Sequence, residues 1–162
     1  MGSLSSLIVC GSNSKKSKSI EVTELLSKEL SVWSLFLNSS ASTIPLISNE
    51  LLDRGEFPPD IKFLVEKIEE SQVVIFVFPQ YNYNFSGFFK NVLDWCSVHT
   101  RKLLYSRRVI LVGISNTKAW EKEFQLATSA TCSSLGASEI IFENVTPDVR
   151  MPDLVNRLRR YV

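Results

Sequence analysis

Three short apolar runs, at residues 7–10, 73–78 and 109–114, constrain the fold of this chain more than any other feature. None alternates apolar with polar residues, and each is too short to be a buried helix. Unbroken runs of this length, rich in β-branched residues, belong to strands covered on both faces, the situation inside a parallel sheet. Residues 32–37 and 139–142 are weaker strand candidates, expected nearer the sheet edges.

Helical periodicity fills the intervals. Over residues 59–70, Ile61, Leu64, Val65 and Ile68 recur at helical spacing, and Pro59 stands near the start, where its missing N–H is harmless. Residues 17–30 carry Val22, Leu25, Leu26 and Leu30, and residues 86–103 carry Phe88, Phe89, Val92, Leu93 and Cys96. Over residues 119–135 the apolar stripe is Trp120, Phe124, Ala127, Thr131 and Leu135, with Gly136 as the stop. A final helix is expected at residues 152–161. Residues 38–57 read as loop around one short helical turn, 49–54, closed by Gly55. Strands alternating with helices over all 162 residues describe one doubly wound α/β domain of about five strands and five helices.

Composition narrows the function classes. Hydrophobic residues at 44% and charged residues at 22% exclude a disordered or fibrous chain. Eighteen basic and 17 acidic residues leave a net charge of +1, which gives no field for nucleic acid or an anionic membrane. No run of 18 apolar residues is present, so no membrane-spanning helix is expected. The first residues lack a basic region, which speaks against a secretory signal. Met1, Gly2 and Ser6 fit the loose myristoylation pattern, set aside because the apolar run behind them reads as a first strand. Cys10, Cys96 and Cys132 show no metal-ligand or C-x-x-C spacing and read as reduced thiols of a cytoplasmic protein. Glycine is scarce, six residues where average usage gives roughly 11.

In an open parallel sheet, ligands bind beyond the carboxyl ends of the strands, where strand order reverses. Three segments qualify, after Cys10, Phe78 and Ile114. The first, G-S-N-S-K-K-S-K-S at residues 11–19, joins hydroxyls, lysines and the free N–H groups of a helix start into a candidate phosphate cradle. Ser12, Ser14, Ser17, Lys18 and Ser19 are its candidate contacts. Its one glycine fits neither the dinucleotide fingerprint nor the P-loop. The alternative is a solvated loop with Ser17 or Ser19 as helix cap. In the second, F-P-Q-Y-N-Y-N-F-S-G at residues 78–87, backbone amides with Gln80 and Asn82 can bond the edge of a planar heterocycle, and Tyr81, Tyr83 and Phe85 can flank it. The alternative is a loop whose aromatic rings simply pack on the sheet.

The run P-Q-Y-N-Y-N-F-S-G-F-F-K-N-V-L-D-W is similar to the P-E-Y-N-x-x-x-P-G-x-L-K-N-x-x-D-W signature of the NAD(P)H-dependent FMN reductases. The first loop resembles that family's G-S-x-R-x-x-S-x-N phosphate loop. The resemblance implies a flavodoxin-like five-stranded parallel sheet in the order 2-1-3-4-5. It also implies an FMN cofactor, NADPH or NADH as co-substrate, a small-molecule electron acceptor, and a homodimer or homotetramer. It assigns Ser12, Ser17 and Ser19 to the FMN phosphate, Pro79, Gln80, Tyr81 and Asn82 to the isoalloxazine, and Ser115 to a third contact loop. Four positions depart from the pattern: Ser14 for Arg, Ser19 for Asn, Gln80 for Glu, and Ser86 for Pro. The third loop, S-N-T-K-A-W at residues 115–120, has no glycine where the family is glycine-rich. A flavodoxin-like binding or regulatory protein without turnover is the alternative.

Remaining candidates have structural readings. Trp120 belongs to its helical stripe, the alternative being a cover for the flavin's dimethylbenzene edge in place of the glycine loop. His99 belongs to a helix end, Cys10 to the core, and Arg107 and Arg108 to the solvated sheet edge opposite the site. Trp95 falls off its helix's stripe and suggests burial against another subunit.

Overall fold

The computed structural model describes residues 4–162. Its parallel strands are β1 (Leu4–Cys10), β2 (Trp33–Phe36), β3 (Ser71–Tyr81), β5 (Arg108–Ile114) and β6 (Glu139–Val145), ordered β2-β1-β3-β5-β6. A two-residue strand, β4 (Asn84–Phe85), folds back antiparallel on the end of β3. The five parallel strands therefore take the expected order, and the labels move by one because of this small hairpin. The helices are α1 (Lys18–Leu30), α2 (Asn49–Asp53), α3 (Pro59–Glu69), α4 (Gly87–His99), α5 (Glu121–Ser134) and α6 (Met151–Leu158). Among the described residues, no helix is long and apolar enough to cross a membrane. The myristoylation pattern begins at Met1 and Gly2, outside the described residues.

The unbroken apolar runs are explained by burial of both strand faces. Leu7, Val9, Val74, Phe76 and Phe78 join the core beneath α3, α4 and α5, while Ile8, Val73, Ile75 and Val77 join the core beneath α1 and α6. Each such side chain, withdrawn from water, stabilises the fold by about 1.5–3 kcal/mol before the entropy of ordering is counted.

At two strand ends the sheet and its covering helices touch closely. A Cβ at Gly11 would lie 2.6 Å from the Phe89 ring of α4, and one at Gly113 would lie 2.4 Å from the Phe124 ring of α5. These glycines admit aromatic rings over the sheet immediately beside the carboxyl ends of β1 and β5.

Several expectations are corrected. Helix α4 stops at His99 rather than reaching 103; His99 is exposed in its last turn, its ring 4.8 Å from Phe57. Trp120 precedes α5 with φ of 57° and is 60% exposed, so it leaves the stripe, whose buried members are Phe124, Thr128 and Cys132. Trp95 is buried within its own chain: Nε1 donates to the Pro45 carbonyl at 2.8 Å and the ring meets Phe57 edge-on. It offers no face to another subunit. Asn91 clasps the same loop, donating to Pro45 at 3.0 Å and accepting from the Ile47 N–H at 2.9 Å. Arg107 is not merely solvated, since it donates to the carbonyls of Ile68 at 2.8 Å and Glu69 at 2.6 Å, closing the end of α3. Arg108 pairs with Glu139 at 2.6 Å, joining β5 to β6.

Candidate functional site

The ends of β1, β3 and β5 converge, as neighbouring strands of one parallel sheet must. After β1 the chain enters α1 through a loop organised by its own hydroxyls. Ser17 caps the helix, accepting from the Ile20 N–H at 3.4 Å, and its hydroxyl donates to Ser12 Oγ at 3.1 Å. Ser12 also accepts the Ser14 N–H at 3.2 Å. Ser19, in contrast, is 1% exposed and its Oγ finds no partner among the described residues. The N–H groups of Lys18 and Ser19, in the first turn, have no carbonyl one turn earlier to receive them. The helix start therefore presents two free N–H donors, one free buried hydroxyl and a positive dipole end, the requirements of an anion site. Lys15 and Lys16 are exposed nearby, and Lys18 pairs with Glu21 at 3.0 Å.

After β3 the chain turns sharply. Asn82 and Tyr83 have φ of 49° and 58°, the left-handed pair that closes a two-residue hairpin into β4. Asparagine suits that region; tyrosine there costs about 1–2 kcal/mol, held by the packing around it. Phe85 passes into the core against Phe78, ring centroids 4.6 Å apart, and does not flank the cleft as expected. Tyr81 is 61% exposed.

After β5 the glycine-free loop is braced by side chains. Ser115 donates to the Thr117 carbonyl at 2.8 Å while accepting from the Thr117 N–H at 3.2 Å and from Gln80 Nε2 at 3.3 Å. Asn144 donates to Glu121 at 2.8 Å and to the Thr117 carbonyl at 3.4 Å. Lys118 meets Asp148 at 2.6 Å, and Thr146 also donates to Asp148, tying this loop to the one after β6. The Lys118 ammonium and the Thr146 hydroxyl hold the Asp148 carboxyl down at about 2. Trp120 lies 6.0 Å from Tyr83, ring to ring, across the two loops.

A cavity of about 360 Å³ joins the three segments, lined by Ser17, Lys18, Ser19, Pro79, Gln80, Tyr81 and Ser115 of the expected residues. Ile114, Asn116 and Thr117 complete its lining and were missed; their signal was position, flanking Ser115 at a strand end. Ser12 sits beneath the first loop, Ser14 is exposed on it, and Asn82 and Tyr83 form the hairpin turn outside the lining. No acidic side chain of the described residues lines the cavity. The thiols take no part: burial pushes Cys10 up and Cys96 and Cys132 to about 12. No metal-ligating cluster is present among the described residues.

A parallel sheet in this order, with three strand ends meeting a hydroxyl-rich helix start, defines a flavodoxin-like α/β protein with an open cleft at the switch point, where sheets of this kind take ligands. Residues 5–141 match the NADPH-dependent FMN reductase family, and the chain belongs to it. The chain is 38% identical over 56 residues to an NAD(P)H:quinone oxidoreductase of Solanum tuberosum, covering 35% of this chain and 29% of that one. It is 31% identical over 74 residues to an NAD(P)H-dependent FMN reductase of Pseudomonas aeruginosa, covering 46% and 40%. The matched stretch thus spans well under half the length of either relative. An NAD(P)H:quinone oxidoreductase from Methanothermobacter marburgensis superposes with a TM-score of 0.69 at 17% identity, covering 98% of this chain and 96% of that one. An FMN-dependent NADH-azoreductase from Bacillus anthracis, solved with FMN, superposes with a TM-score of 0.65 at 12% identity, covering 96% and 94%. These two likenesses bear on the fold.

Proposed function

We propose that this chain is an FMN-binding oxidoreductase that passes hydride or electrons from NADPH or NADH to a small acceptor: a flavin, quinone, azo compound or metal oxyanion. The observation that carries the reading is the orphaned Ser19 hydroxyl. It lies beside two free N–H groups at the end of a cleft whose walls are residues 79–81 and 115–117. A buried hydroxyl without a partner costs about 1–3 kcal/mol, which a phosphate oxygen at this helix start would relieve.

FMN, when bound, supplies the hydride chemistry. The residues have separate duties. Ser19 and the N–H groups of α1 hold the phosphate, with Ser12, Ser14 and Ser17 shaping the loop and Lys18 adding positive charge. Pro79, Gln80 and Tyr81 lie along the ring edge, with Asn82 and Tyr83 forming the turn that sets that edge and Ser115 fixing the opposite wall. No side-chain acid or base is needed, in keeping with a lining free of carboxylates and histidine. The chain works as one domain over residues 1–162, in the cytoplasm, where its three buried free cysteines stay reduced. We take it to be a homodimer or homotetramer; the exposed Val98 of α4 and Leu126 of α5 suit such an assembly.

The test is the visible spectrum of the purified protein supplied with FMN, followed by NADPH or NADH. Flavin bands that bleach support the proposal, and bands that persist, or none, overturn it. Substituting Tyr81 or Asn82 by alanine should weaken FMN binding or turnover more than His99→Ala does. Equal activity in all three variants would reject the site.

A further inference from the structure

The cleft continues past the helix start. A second cavity, of about 430 Å³, adjoins the first and shares Lys18, Ile114, Ser115 and Asn116 with it. Its far wall is the connection from β6 to α6, with Val145, Pro147, Val149 and Met151 supplying apolar surface and Lys18 a cation at the junction. The wall is held in place: Thr146 and Lys118 both bond Asp148, and the Val149 N–H donates to the Thr146 carbonyl at 3.0 Å.

We propose that this groove receives the adenylate half of FAD, so that the site accepts FAD as well as FMN. The inference rests on the flavin reading of the first cavity. Continuity selects the occupant. The two cavities meet along Lys18 of the α1 start and Ile114, Ser115 and Asn116 of the β5 end. Ser17 and Ser19 line only the first, next to that junction in the chain, and so do Gln80 and Tyr81 at the ring end. A ligand extended from its phosphate therefore passes directly into the groove. A terminal phosphate leaves the groove unused. The chemistry matches: apolar walls suit the faces of a purine, and the Met151 thioether is polarizable against an aromatic ring. Lys18 stands where a second phosphate carries its charge, and the volume falls within the roughly 300–1,000 Å³ typical of small-molecule sites.

Titration calorimetry of flavin-free protein with FMN and with FAD tests this, on wild type and Pro147→Trp. Pro147 is an exposed loop residue that lines only the groove, and its indole replacement fills that space. Wild type should bind FAD within about fivefold of FMN. The substitution should weaken FAD at least tenfold and leave FMN within twofold, the FMN titration serving as the fold control. FMN bound and FAD refused by more than tenfold in wild type overturns the groove while sparing the flavin reading. So does unchanged FAD affinity in the variant, or a raised KM for NADPH in its place, which would assign the groove to the co-substrate. Failure to bind either flavin in wild type overturns the flavin reading and this inference with it.

Discussion

Replacing Ser19 by alanine should have opposite effects on the flavin-free and flavin-bound protein. The side chain is 1% exposed, and its Oγ has no partner among the described residues. An unsatisfied buried hydroxyl destabilises by about 1–3 kcal/mol, and alanine is the better helix former. Flavin-free Ser19→Ala should therefore be as stable as wild type or more so, by up to about 1–2 kcal/mol in urea unfolding. On the proposed reading the hydroxyl would donate to a phosphate oxygen of bound flavin, a charge-assisted bond worth about 1.5–3 kcal/mol. Its loss should raise the Kd for FMN about 10- to 100-fold, measured by titration calorimetry. Thr23 supplies the control. Its buried hydroxyl donates to the Ser19 carbonyl at 2.8 Å, so Thr23→Val should destabilise the flavin-free protein by about 1 kcal/mol and leave FMN affinity nearly unchanged. A Ser19→Ala protein that is less stable, with unaltered FMN affinity, would show that the hydroxyl matters for packing and that the anion binds elsewhere.

Other consequences are open to simpler measurements. Gly113→Ala places a Cβ 2.4 Å from the Phe124 ring and should cost about 1–3 kcal/mol as overpacking, seen as a Tm several degrees lower; an unchanged melt would refute the close approach. Trp95→Phe loses the bond to Pro45 and part of a buried ring, so it should destabilise by about 1–3 kcal/mol without altering elution on size exclusion. A change of oligomeric state there would return Trp95 to an interface. Asp148 is held at about 2, first by the Lys118 hydrogen bond and then by Thr146, below the ordinary 3.8. A depressed carboxyl favours the folded state while ionised, so its contribution is complete above the ordinary value and fades as the pH falls towards 2. The stability gap between wild type and Asp148→Asn should accordingly close on acidification from pH 5 to 2, and a constant gap would contradict the pairing.

The sheet was legible because the three inner strands bury both faces, leaving runs that neither alternate nor extend to helix length. What escaped the sequence depends on partners far along the chain. Trp95 looks like a surplus apolar residue until residues 45–47, about 50 positions earlier, fold over it. Trp120 falls one turn before Phe124 and fits the helical period, yet it stands ahead of the first helical residue with a left-handed φ of 57°. The β3–β4 hairpin was hidden because Tyr83 occupies a turn position where glycine is the usual cue. The convergence of three strand ends on one cleft was legible, and the bonding of the residues within it was not. Ser12, Ser17 and Ser19 are equivalent hydroxyls on paper, whereas in the fold the first two bond each other and only the third is free.

The two halves of the long signature run do different work. Residues 79–81 line the cleft, while Asn91 and Trp95 hold the Pro45 carbonyl and so fasten the loop between β2 and α3 over α4. Similarity across that run consequently speaks as much for how α4 is covered as for chemistry. The features particular to this chain sit where it departs from the pattern, and two of those departures are physically coupled. A Ser115 hydroxyl has one proton, which it gives to the Thr117 carbonyl, so it can only accept from residue 80. Gln80 supplies that donor; an ionised glutamate has none to give. With a carboxylate at 80, Ser115 would have to turn its proton towards it and release Thr117. The neutral amide and the glycine-free third loop therefore support one another: the first satisfies the hydroxyl that holds the second in place.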